Sequence, residues 1–166
     1  MSDASRVRGA ERPAGDIVGP RPSEAIPVGG GRRPPNVVQA VWRGDRRFET
    51  GRPGGPQIML DGDATAGPSP VDALLSALAS CVSIDVVDIL RKGRTPPDSC
   101  EVEVVGTRVE TTPRRLEHVL LRFRIGGAGI EREKAERAVE LSVTKYCSVR
   151  DSLDPAMPVE WSVTLE

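Results

Sequence analysis

Gly67-Pro-Ser-Pro-Val-Asp-Ala-Leu-Leu-Ser-Ala-Leu-Ala-Ser-Cys81, continued by Val82-Ser-Ile-Asp-Val-Val-Asp-Ile-Leu-Arg-Lys92, is the stretch on which the fold turns. It opens as helices open: Ser69 suits the N-cap, Pro70 the first helical position, and Asp72 stands where a capping box needs an acceptor. It closes with Arg91-Lys92, whose charges suit a helix C-terminus, before Gly93 and Pro96-Pro97 stop it. Between Val71 and Leu90, 14 of 20 positions are apolar, counting Ala and Cys. A helix with one face in water cannot carry that many, so this one is buried on most sides. At about 100° per residue, Asp72, Ser76, Ser80 and Ser83 form a narrow strip of small side chains, with Cys81, Asp85 and Asp88 on the far side. One other helix and two small sheets cannot cover such a surface, which predicts an obligate homodimer.

Upstream, Val37 to Arg43, Arg46 to Thr50 and Gln57 to Leu60 are short β-type runs separated by Gly44-Asp45 and by a Gly/Pro turn at 51–55, as in an antiparallel meander. Downstream, Cys100 to Thr112 and Leu116 to Ile125 alternate apolar and polar residues around Thr112-Pro113-Arg114 and read as a hairpin. A second helix runs from Ile130 to about Tyr146, the chain breaks near Cys147, and Val159 to Leu165 makes a last strand. Three strands, helix, two strands, helix, strand is an α+β order. Residues 1–35 carry six Pro, six Gly and six Arg with little apolar spacing, so they read as a flexible tail ahead of a folded unit at 36–166.

Lys and Arg number 23 and Asp and Glu 24, leaving a net charge of −1. Without a field of one sign, nucleic acid and anionic membrane lose their main electrostatic handle. Five aromatics in 166 residues give no base-stacking platform. No uninterrupted apolar run reaches the ~18–20 residues of a spanning helix, and the N-terminus has no signal-peptide core. A cytoplasmic protein is the expectation.

The three cysteines, an odd number without paired spacing, build no disulfide framework. No C-x-x-C or H-x-x-x-H spacing exists, and Cys100 and His118 fall on separate strands, so neither a metal nor another cofactor is expected. Cys81 and Cys147 both sit in well-patterned elements. Each reads either as a small buried hydrophobe or as a reactive thiol. As a nucleophile, mid-helix Cys81 gains little from the helix N-terminus, and Asp85 one turn on opposes ionisation, so it needs a guanidinium nearby. Arg43, Arg46, Arg47 and Arg150 are the candidates.

These residues resemble the OsmC/Ohr hydroperoxide-resistance family. The motifs are Gly67-to-Cys81 followed by Ile84-Asp85-Val86-Val87, then Arg137-Ala-Val-Glu-Leu-Ser142 and Tyr146-Cys147-Ser148-Val149. The resemblance covers about residues 36–166, and its Cys81-x-x-Ile-Asp-Val-Val pattern is closer to the OsmC-like branch. It implies two central helices packed between antiparallel sheets in an intertwined homodimer, with active sites at the subunit interface. Carried over, Cys81 is the thiolate that attacks a hydroperoxide and becomes a sulfenic acid. Cys147 condenses with it to a disulfide, which an external thiol, dihydrolipoyl or small, then reduces. The family's supporting arginine falls best on Arg47, with Arg46 its competitor, and the acid that orients it on Asp72. Two other readings share these residues: a non-catalytic dimer holding a small apolar ligand in an interface groove, and a thiol redox sensor.

Overall fold

In the computed structural model the described residues are Arg33–Glu166, so the tail expected over residues 1–35 lies almost wholly outside them. The first strands are β1 (Gln39–Trp42), β2 (Arg47–Gly51) and β3 (Gln57–Asp61), an antiparallel meander in the order β1-β2-β3. The first helix follows as α1 (Pro70–Lys92), with both halves of the capping box formed: Ser69 Oγ accepts from the Asp72 N–H at 3.2 Å, and Asp72 Oδ2 from the Ser69 N–H at 3.0 Å. The hairpin is β4 (Ser99–Arg108) and β5 (Leu116–Gly126), followed by α2 (Arg132–Leu141) and β6 (Val159–Leu165).

The second sheet has the order β4-β5-β6, with β4 antiparallel to β5 but β6 parallel to it. An all-antiparallel reading of this sheet therefore fails at one ladder. The cause is α2: a helix between two neighbouring strands carries the chain back to the starting edge, so the next strand runs the same way.

The core lies between this sheet and the helices. Leu78, Val82, Val86 and Leu90, spaced four apart on α1, are at most 2 % exposed. They meet Val119, Leu121, Phe123 and Ile125, alternate residues on one face of β5. Ala135 and Ala138 on α2 are fully buried, and their small side chains let that helix approach closely. Gly106 breaks the apolar alternation of β4 for want of space, since a Cβ there would stand 2.9 Å from Leu75 Cδ1 and 2.8 Å from Leu116 Cδ2. The sheet's other face is wet and carries Arg122–Glu103 at 2.7 Å and a pair between Arg124 and Glu101, each bridging residues directly opposite in the β4–β5 register. Exposed pairs of this kind fix register more than they add stability.

By length and mean hydropathy α1 is apolar enough to cross a membrane, a property hidden from a search for unbroken runs by its interspersed Asp and Ser. Here it is the core helix of an α+β unit. Its opposite face stays open: Ile84 is 63 % exposed and Leu74 39 %, with Ala77 and Ser80 between them. Trp42, Phe48 and Ile58 of the first sheet are also exposed.

Asp61, at the end of β3, is 1 % exposed and organises the loop into α1. Its Oδ1 accepts from the Asp63 N–H, while Oδ2 accepts from Thr65 Oγ1 at 2.7 Å and from the N–H groups of Ala66 and Thr65. These donors hold its carboxyl well below the usual carboxylate range. A depressed folded value stabilises the fold above the unfolded pKa of about 3.9, and that contribution fades as pH falls through it. Thermal midpoints followed by circular dichroism are expected to be flat from pH 8 to 5 and to drop below pH 4. Asp61→Asn, which turns an amide N–H₂ toward N–H donors, is expected to lower the midpoint at pH 7 and flatten the acid limb. An unchanged acid limb in the variant would refute the assignment.

Candidate functional site

Cys81 lies halfway along α1, half-buried against the core. Cys147 reaches it from the far end of the chain. The α-helical winding expected through Tyr146 ends at Leu141, and Ser142–Tyr146 widen into a single π turn in which the Cys147 N–H donates to Ser142 O at 2.9 Å. Ser142 anchors that turn. Its buried hydroxyl directs its one hydrogen toward Val82 O at 3.0 Å and Asp85 Oδ2 at 3.3 Å, tying the turn to α1 one residue and one helical turn beyond Cys81. Widened turns of this kind recur where a helix must present a side chain out of regular phase.

Cys147 then adopts an extended backbone and caps the one-turn helix α3 (Ser148–Asp151), its sulfur accepting the Arg150 N–H at 3.3 Å. The thiol is 3 % exposed and within hydrogen-bonding reach of Cys81. Burial first, and its hydrogen bond to Cys81 second, push the Cys147 thiol up to about 11. Cys147 therefore keeps its proton at neutral pH. The third thiol, Cys100, is half-buried at the start of β4, and burial raises its pKa as well. His118 faces Glu160 at 3.5 Å on the wet side of the second sheet. Among the described residues no cluster of His, Cys, Asp and Glu could hold a metal ion.

The arginines fall into two groups. Arg43 pairs with Glu49, Arg46 with Asp63 at 2.6 Å, and Arg47 with Asp61 at 3.7 Å and Asp45 at 3.8 Å, all around the first sheet. Arg150 is beside Cys147, but its guanidinium donates to Met157 O at 3.1 Å and Asp154 O at 3.4 Å, and only its backbone N–H touches the sulfur. Among the described residues no guanidinium hydrogen-bonds to the Cys147 sulfur. Asp72 is engaged by Ser69, whose hydrogen bonds hold its carboxyl below the ordinary range, with a smaller pull from Arg108. The acids in contact with Arg47 are Asp61, which is buried, and Asp45, which is exposed.

Asp61 and Ser142 were not singled out by sequence. Asp61 had a readable signal, an Asp followed by Gly62-Asp63 at the end of a strand, where a carboxylate commonly closes a turn on backbone N–H groups. Ser142 stood only as the last residue of the Arg137-to-Ser142 motif, and its anchoring role had no signal of its own, since a serine at that point of a helix reads as one more small side chain.

An α+β unit that pairs one thiol from a long core helix with another from the turn after the second helix defines a known class. The chain belongs to the OsmC-like protein family, whose pattern matches residues 61–162. Protein YhfA of Escherichia coli K12 is 40% identical over 109 residues, covering 65% of this chain and 81% of that protein. A hypothetical protein from Aquifex aeolicus VF5 is 28% identical with a TM-score of 0.68, over 78% of this chain and 96% of its own. The organic hydroperoxide resistance protein OsmC of Legionella pneumophila has the same fold at 13% identity, with a TM-score of 0.57 over 77% and 95% of the two chains.

Proposed function

We propose that the protein is a cysteine-based hydroperoxide reductase in which Cys81 attacks and Cys147 resolves. The observation that carries this is that the two thiols, delivered by separate helical elements, lie close enough to interact. Cys147, which keeps its proton, suits the resolving role.

The chemistry runs in three balanced steps. Cys81 thiolate attacks the distal oxygen of ROOH, the O–O bond breaks, and RO⁻ leaves to take a proton as ROH, so Cys81 becomes a sulfenic acid. Cys147 then attacks that sulfur, forming the disulfide as the hydroxyl leaves in a molecule of water. Two external thiol groups, from one dihydrolipoyl unit or from two small thiols, reduce the disulfide and are themselves joined as one. The reading sets the protein in a reducing compartment, the cytoplasm, where both thiols rest reduced.

The working unit in this reading is a homodimer. A second copy supplies cover for the open α1 face at Leu74 and Ile84 and for Trp42, Phe48 and Ile58. It also supplies the missing cation: Arg47 of the first sheet steadies the Cys81 thiolate across the interface. Asp61, already in contact with Arg47, takes the orienting role that sequence gave to Asp72, whose carboxylate is closed onto the Ser69 N–H.

Steady-state consumption of tert-butyl hydroperoxide with excess dithiothreitol tests this reading, and turnover no faster than the uncatalysed background would contradict it. Cys147→Ser refines the test, because without a resolving thiol the oxidised Cys81 persists. Dimedone is expected to label Cys81 in nearly every Cys147→Ser chain after one equivalent of peroxide, and few wild-type chains, as read by intact-mass spectrometry. Absence of label in the variant would remove Cys147 from the resolving role.

A further inference from the structure

A cavity of about 280 Å³ opens beside Cys147, on the side away from α1, with Val143, Lys145, Arg150, Asp151 and Val159 in its wall. Cys147 lines it and Cys81 does not. Two of the wall residues are cations and one is an acid, so the cavity favours a negative visitor. Arg150 is fixed in place by the Met157 and Asp154 carbonyls, whereas Lys145 is exposed, its Nζ 5.4 Å from the centre of the Tyr146 ring. The volume is at the small end of ligand sites and suits a molecule of a few heavy atoms.

Resting on the peroxidase reading above, we propose that this cavity is the entry site of the reductant, that the reductant is a small thiol bearing a carboxylate, and that it attacks Cys147 rather than Cys81. The reductant thiolate forms a bond to Cys147 Sγ as the Cys147–Cys81 bond breaks, and the electron pair goes to Cys81 Sγ, which leaves as thiolate. A second thiolate of the same kind attacks the reductant sulfur of the mixed disulfide. That yields the oxidised dimer of the reductant and releases Cys147, which takes up a proton. Two thiols are oxidised and two electrons enter the protein.

The direction of attack follows from which thiol lines the cavity. A thiolate held in the cavity stands against Cys147, which lines it, and the sulfur expelled on attack there is that of Cys81.

Diamide supplies the Cys81–Cys147 disulfide without peroxide, and recovery of the Cys81 thiol is then timed with 3-mercaptopropionate, with 2-mercaptoethanol and with dihydrolipoamide. Lys145→Glu is expected to slow 3-mercaptopropionate about tenfold and the two neutral thiols less than about threefold, with Lys145→Gln intermediate. Peptide mass spectrometry of acid-quenched wild type at partial reduction is expected to find the mercaptopropionate adduct on Cys147. Equal slowing of all three thiols, no slowing, or an adduct on Cys81 would each overturn the proposal. Failure of hydroperoxide to form the bond that diamide forms would contradict the peroxidase reading alone.

Discussion

Cys81→Ser is expected to bring hydroperoxide consumption down to the uncatalysed background. A serine hydroxyl stays protonated at neutral pH, so it cannot replace a thiolate as nucleophile. The variant is close to isosteric at a half-buried position packed against the core, so folding is expected to survive. Consumption is read with tert-butyl hydroperoxide, and circular dichroism checks the fold. Retained activity would shift the chemistry to another group, and loss of activity together with loss of fold would be answered by Cys81→Ala, which adds no polar group to the site.

Phe123→Ala is expected to have the largest effect on stability. Phe123 is 1 % exposed on the central strand β5, where its register neighbours are Val102 on β4 and Val163 on β6. The ring faces the α1 and α2 layer, and no neighbour can move in to replace it without dismantling a strand pair. Truncations of this kind cost about 3–5 kcal/mol, from lost burial plus the cavity left behind. For a unit of this size that lowers the thermal midpoint by roughly 10–15 °C. Val105→Ala, on the wet face of the same sheet at 40 % exposure, is expected to cost less than about 0.5 kcal/mol. Similar losses in the two variants would mean that the core is not where β5 and α1 meet.

Much of the fold was legible in the sequence because its signals are local. Ser69, Pro70 and Asp72 announce the start of α1 through a capping box that needs only four consecutive residues, and the box is formed as read. The alternation of β4 and β5 depends only on which residues face the helices. The parallel placement of β6 depends on the path of α2 over the sheet, which no periodicity within β6 can encode. The end of α2 was misread for a similar reason: the residues up to Tyr146 continue a helical pattern, and only the buried hydrogen bond from Ser142 to Val82 and Asp85 converts the last turn to the wider winding.

The site was legible unevenly. Cys81 and Cys147 stood out through the family motifs that surround them, and they are brought together. The arginine was harder to assign, because Arg43, Arg46 and Arg47 are neighbours in sequence and each has an acid of its own in the fold. Asp72 was given the orienting role by its position after Pro70. That position is also what a capping box requires, and the local hydrogen bonds with Ser69 occupy it.

Whether Cys81 and Cys147 act as one redox pair is decided by counting thiols before and after a single equivalent of hydroperoxide. The reduced chain holds three cysteines. The account predicts that oxidised protein, unfolded under acid and alkylated, shows one remaining thiol, that of Cys100, and that digestion yields one cross-linked species joining the Cys81 and Cys147 peptides. Three free thiols after oxidant exposure, or a cross-link that includes Cys100, would contradict it.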